Sequence, residues 1–175
     1  LMIAKQVCLA LVAAHAQHVV HGRLALANCF RVFREQAPDI IKVLDFGAAR
    51  FACKRTGLCL PGKPAGEPGL VAPELLTGRP FDARVDIYAL GLLMYRLTTD
   101  RAPYPLLDAA LADSRAGEES GRTMPVPMCA AVPELEVPSE FEAVIRKALV
   151  LDPQQRHADA QGLYLDTFRN IVFEG

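Results

Sequence analysis

Between Asp82 and Leu97 the chain reads DARVDIYALGLLMYRL, a helix-length run with almost no polar face. A helix that is apolar on nearly every side cannot lie on a surface, because no orientation keeps it half in water. It has to be surrounded. This one segment therefore predicts a mainly α architecture built around a buried central helix. Other segments supply the surroundings. Ile3, Val7, Leu11 and Ala14 fall on one stripe at helical spacing and predict an N-terminal helix. After Pro138, Ser139 stands three residues before Glu142, the spacing of a capping box. Phe141, Val144, Ile145, Ala148 and Leu149 then form an apolar face that ends at Asp152-Pro153. A last helix is expected from about Ala158 to Val172, with Leu163, Leu165, Phe168 and Ile171 turned inward.

Little of the chain reads as strand. Val19-Val20, Cys29 to Phe33 and Ile40 to Leu44 are short apolar runs, the last two flanking a turn at Gln36-Ala37-Pro38-Asp39. A small β-hairpin region is the expectation. Lys54 to Gly69 carries Gly57, Pro61, Gly62, Pro64, Gly66, Pro68 and Gly69, so no regular element should persist there. Residues 113 to 138 read as an acidic connection containing Gly and Pro.

Charge and cysteine usage exclude several classes. The formal net charge is −1, with no basic excess for nucleic acid. Val7 to Val20 is interrupted by His15, Gln17 and His18 and is too short to span a bilayer. The five cysteines, Cys8, Cys29, Cys53, Cys59 and Cys129, lack paired zinc-ligand spacing and read as free thiols of a reducing cytoplasm. Cys53 and Cys59 share a loop, and their pairing on oxidation is the alternative. His15, His18 and His157 read as helix-end or surface residues.

Five motifs in order carry a family resemblance: HAQHVVHGRLALAN (15–28), VLDFGAAR (43–50), GEPGLVAPELLTG (66–78), DARVDIYALGLLMYRLTTDRAPY (82–104) and LDPQQR (151–156). Together they resemble the C-terminal lobe of a protein kinase, most closely the bacterial Ser/Thr protein kinases. The resemblance covers nearly the whole chain, 1–175, and implies a kinase-like C-lobe with residues 45–74 as its activation and substrate-binding loop. It also implies ATP and Mg²⁺ as cofactors.

The catalytic loop departs from the family pattern H-R-D-L-x-x-x-N. Here it reads His21-Gly22-Arg23-Leu24-Ala25-Leu26-Ala27-Asn28. Arg23 stands where the resemblance expects the proton-accepting aspartate, and a guanidinium cannot accept a proton at neutral pH. Loss of a positioned base typically costs about 10²–10⁴ in rate. Ala25 replaces the usual lysine, and Glu67 stands at the position of a conserved threonine. If the loop keeps its family path, Arg23 and Glu67 should face each other, either as a salt bridge or as two solvated charges. Gly22 removes the arginine that in many relatives clamps a phosphorylated loop.

By the same resemblance, Asn28 and Asp45 are the metal ligands, either still holding Mg²⁺ or retained as architecture. Leu26 and Phe30 would floor the nucleotide cleft. Structural roles fall to His21 and Phe46 as stacked residues, Asp86 as acceptor for the catalytic-loop backbone, and Glu74 with Arg156 as a buried ion pair. No G-x-G-x-x-G-x-V or V-A-I-K occurs, so the N-terminal ATP lobe is expected to be absent and the chain to be a piece of a longer reading frame. An exposed apolar edge, through Leu1, Ile3 and the strand residues, should be left behind.

Three functional readings follow: a pseudokinase that binds protein partners, the C-terminal part of an ATP-dependent Ser/Thr protein kinase, and a gene fragment with no separate function.

Overall fold

A computed structural model describes residues 1–47, 71–76, 79–104 and 124–171. Its described elements are helix α1 (Met2–Ala16), strands β1 (Cys29–Val32) and β2 (Ile40–Val43), and helices α2 (Pro73–Leu76), α3 (Arg84–Thr99), α4 (Met128–Ala131), α5 (Ser139–Ala148) and α6 (Ala160–Tyr164). A π-turn, Leu165–Arg169, continues directly from α6. The expected loop at 54–69 and the cysteine pair Cys53 and Cys59 lie outside the described residues.

The apolar run at 82–97 becomes α3, and every residue from Val85 to Tyr95 is buried. Neighbours close on it from several sides. Helix α5 comes so near that a Cβ on Gly91 would sit 2.9 Å from Ala148 Cβ. Only a residue without a side chain lets the two helices approach this closely. Phe141, Ile145, Ala148 and Leu149 provide the α5 side of the contact. Helix α1 buries Ala4, Val7, Cys8 and Leu11, the i, i+3, i+4, i+7 stripe of an amphipathic helix. It packs against α6, where the Cys8 thiol donates to the Ala160 carbonyl at 3.6 Å. Burial pushes the Cys8 thiol up to about 12, so it stays protonated and unreactive.

The hairpin pairs Cys29 with Val43 and Val32 with Ile40, antiparallel. Its inner face (Cys29, Ile41, Val43) packs on the core. The outer face carries Phe30 opposite Lys42, and Phe30 is 52% exposed. Phe33 at the turn is 74% exposed. Asp39 organises that turn: it accepts from the Arg31 side chain and from the Arg34 backbone, while Arg34 donates twice to the Pro38 carbonyl.

Several local expectations are corrected. Val19-Val20 is not a strand: Val20 is buried and Val19 exposed, with no ladder partner beside them. The capping box at Ser139 does not form. Pro138 is the N-cap, and the Glu142 side chain instead accepts from the Met128 backbone at 3.2 Å. The connection before Pro138 therefore contains a helical turn, α4, tied down by the glutamate assigned to the cap. The last helix begins at Ala160 rather than Ala158, because Asp159 accepts from Gly162 N at 2.8 Å and caps it there. Of the apolar edge, Leu1 and Leu44 are exposed but Ile3 is half-buried. No described helix is long and apolar enough to cross a membrane.

Candidate functional site

The site is organised by one carboxylate. Asp86 sits in the first turn of α3 and is fully buried. A carboxylate there has lost its water and must find donors within the protein. Three converge on it. Oδ2 accepts from His21 N at 2.8 Å and from His15 Nε2 at 2.9 Å, and Oδ1 accepts from Gly22 N at 2.7 Å. The backbone at His21 and Gly22 is thus hung from the central helix. Gly22 can take this position because its φ is 75°, a left-handed conformation that costs any other residue roughly 1–2 kcal/mol.

His21 lies beneath the loop, wholly buried, its ring centroid 4.7 Å from that of Phe46 with planes tilted by 44°. Its Nδ1 accepts from Arg23 N at 3.3 Å. Burial lowers the His21 pKa, opposed by the nearby Asp86 and Asp45 charges. The Leu44 carbonyl also favours the proton, although Nε2 makes no hydrogen bond of normal geometry. The ring is therefore neutral and structural.

Arg23 is exposed. Its proposed partner Glu67 lies outside the described residues. Leu24 anchors the loop in the core, Ala25 precedes a short 3₁₀ turn (Leu26–Asn28), and Leu26 is half-buried. That turn delivers Asn28 to the start of β1. Asp45 arrives from the far end of β2 with φ 65°, followed by Gly47 at φ 77°. The two ends are tied where Leu44 N donates to Asn28 O at 2.9 Å. Asn28 Nδ2 lies 3.5 Å from Asp45 Oδ2, a long and exposed contact. One carboxylate and one amide side by side suit a hard cation that brings phosphate oxygens as its other ligands. No cluster of three or more His, Cys, Asp or Glu that could hold a metal alone occurs among the described residues.

A second buried pair fixes α2 against the segment around Arg156. Glu74 in α2 meets Arg156 through two hydrogen bonds, Nη1 to Oε1 at 2.7 Å and Nη2 to Oε2 at 3.0 Å. Arg156 also donates to the carbonyls of Val150, Arg84 and Leu151, and its guanidinium lies 4.8 Å from the centroid of the Tyr88 ring.

Three residues escaped sequence reasoning. His15 is not a surface residue: its side chain is only 7% exposed and holds Asp86. His157 is also buried, facing Asp166 at 3.2 Å, and burial lowers its pKa. Gln6 bridges α1 to β2. The signal for His15 was its place at the end of a helix, six positions before His21, but its partner is 71 positions away.

A family model described as protein kinase domain matches residues 2–166. The serine/threonine-protein kinase Pkn1 of Myxococcus xanthus is 37% identical over 170 residues, covering 97% of this chain and 23% of the relative. The serine/threonine-protein kinase PknJ of Mycobacterium tuberculosis is 34% identical over 169 residues, covering 91% of this chain and 28% of the relative. Among solved structures, the PknI kinase domain of Mycobacterium tuberculosis superposes with a TM-score of 0.62 at 23% identity, covering 94% of this chain and 52% of that one. The chain thus spans about a quarter of these curated relatives and about half of a solved kinase domain.

Proposed function

The chain belongs to the protein kinase domain family, and from that premise we propose that it is a kinase-like C-lobe that no longer transfers phosphate and works by binding a protein partner. One observation carries this reading. Arg23 follows the two residues anchored on Asp86, at the position from which the family presents its proton-accepting aspartate. The scaffold around it is in place; the group able to take a hydroxyl proton is not. A cation there also repels Mg²⁺ and fails to orient an incoming serine or threonine. In this reading the partner lies across the surface of residues 45–74, where kinases hold peptide substrates, and the compartment is a bacterial cytoplasm.

Asp45 and Asn28 would hold a metal, and Leu26 and Phe30 would floor the cleft. Mg²⁺, when bound with a nucleotide, screens the charge on its phosphates. Without phosphate oxygens, two ligands hold it poorly.

A second reading, the C-terminal part of an active Ser/Thr kinase, is favoured by the pairing of Asn28 with Asp45 and by the named activity of the relatives. The exposed Phe30, Phe33 and Leu44 would then be covered by a lobe preceding Leu1.

The test is transfer of the γ-phosphate of ATP to a serine/threonine peptide by the whole natural polypeptide, compared with its Arg23→Asp/Ala25→Lys variant. No transfer by the natural sequence and a measurable rate in the variant support the proposal. Transfer by the natural sequence that is lost on replacing Arg23 refutes it. A saturable rise in melting temperature with ATP and Mg²⁺ would show that the cleft still binds nucleotide.

A further inference from the structure

The hairpin carries both members of the Asn28–Asp45 pair at its ends, yet it has only four residues in each strand. Two short strands are marginal by themselves. What holds this hairpin at a fixed height over the core is therefore a question about the site. The inner-face side chains resist a one-residue slip, which would turn them to the outer face, but their contact is non-directional and does not fix the strand's height over the core.

Gln6 supplies direction. From the half-buried side of α1, its Nε2 donates to the Asp39 carbonyl at 3.0 Å, and its Oε1 accepts from Ile41 N at 2.9 Å. In an extended strand the carbonyl of residue 39 and the N–H of residue 41 point to the same edge. That edge faces away from β1, because Leu44, whose N–H alternates to the edge opposite that of Ile41, bonds Asn28 on the β1 side. The Gln6 amide therefore supplies the N–H and C=O that one residue of a third strand would direct at this edge. It closes the free edge of β2 with two bonds of opposite polarity. A shift of β2 by one residue would break both.

We propose that Gln6 is a positioning residue for the candidate site. It locks β2 to α1, and through the Leu44–Asn28 bond it sets the relative placement of Asn28 and Asp45. This holds whether or not the site turns over. A side chain able to donate and accept at once is required. Leucine has neither capacity, and ionised glutamate can only accept, which sets a carboxylate against the Asp39 carbonyl. Protonated glutamate restores both functions.

Residue-resolved amide hydrogen exchange on the intact chain tests the proposal. In Gln6→Leu, Ile41 loses its acceptor and must exchange faster whatever the role of Gln6. The reporter is Leu44 N–H. We expect its exchange to rise about tenfold or more, while the amides of His21, Gly22 and the α3 core keep their protection. In Gln6→Glu, Leu44 should exchange fast near pH 7. It should regain protection relative to wild type as pH falls toward the ordinary glutamate range, about 4.3. Faster exchange at Ile41 alone overturns the proposal. So does an equal rise at every amide, which would make Gln6 a general contributor to stability. If Gln6→Leu fails to fold, the pH response of Leu44 in Gln6→Glu decides the matter, and a flat response is a refutation.

Discussion

Arg156 should not be replaceable even by lysine. A guanidinium has five N–H groups, and each has its own acceptor here. Nε donates to Val150 O at 2.7 Å, Nη1 to Glu74 Oε1 at 2.7 Å and Arg84 O at 3.1 Å, and Nη2 to Glu74 Oε2 and Leu151 O, both at 3.0 Å. An ammonium has three N–H groups in a tetrahedral array, so at least two acceptors lose their donor. Each buried acceptor left unmet costs about 1–3 kcal/mol. The Leu151 side of the group lies nearer to water, since that residue is 37% exposed, so the lower half of the summed range applies. Arg156→Lys should therefore lose about 2–4 kcal/mol, out of about 5–15 for a typical domain. Arg156→Ala removes the counter-charge of a Glu74 that is only 6% exposed and should cost about 3–5 kcal/mol or more. Urea unfolding followed by circular dichroism measures both. The double replacement Glu74→Leu/Arg156→Met removes both charges and should recover a large part of the Arg156→Ala loss. If Arg156→Lys lies within about 0.5 kcal/mol of wild type, the five-acceptor account is wrong, because ordinary surface changes have that size.

Further predictions concern packing and pH. Gly91→Ala places a Cβ 2.9 Å from Ala148 Cβ and 3.2 Å from Leu149 Cδ2. Overpacking of this kind costs about 1–3 kcal/mol, and the better helix propensity of alanine returns about 1 kcal/mol. A net loss in thermal unfolding is expected, relieved by adding Ala148→Gly; a Gly91→Ala protein more stable than wild type would contradict the helix spacing. Burial lowers the pKa of both His21 and His157 below the ordinary 6.5. The folded state thus prefers them neutral. Their contribution is complete above about pH 6.5 and declines as pH falls from there toward the folded values. The melting temperature should drop between pH 7 and 5, less steeply in His157→Gln; equal slopes for the two proteins would remove His157 from this account.

Local patterning was legible in the sequence to the extent that it depended on neighbours. The apolar run of α3 dictated burial wherever its surroundings came from. The i, i+3, i+4 stripes of α1 and α5 named their inward faces, although the buried α1 stripe also takes in Ala4 and Cys8 beside Val7 and Leu11, with Ile3 and Ala14 half-buried at its margin. The hairpin followed from two apolar runs around a turn. Capping was less legible. Glu142 had the spacing of a capping box, but a carboxylate takes whichever donor the fold brings nearest, and that was Met128 N. Val19-Val20 had strand composition without an available partner. His18 is exposed as expected, but the burial of His15 and His157 was not anticipated, because an imidazole is small enough to be buried wherever a carboxylate can hold it. Asp86 held His15, and Asp166 faced His157.

That Arg23 cannot accept a proton follows from its chemistry alone and needs no coordinates. So does the need of a long apolar helix to be enclosed. Asp86 binding backbone 64 and 65 positions away and Glu74 meeting Arg156 82 positions away were expected through the family resemblance alone, not from local pattern. Only the tertiary structure brought His15 to Asp86, 71 positions away, and Gln6 to a strand edge 33 and 35 positions away. The reason is physical. Periodicity is a property of a few turns of chain, whereas a buried polar group is satisfied by whatever donor or acceptor packing delivers.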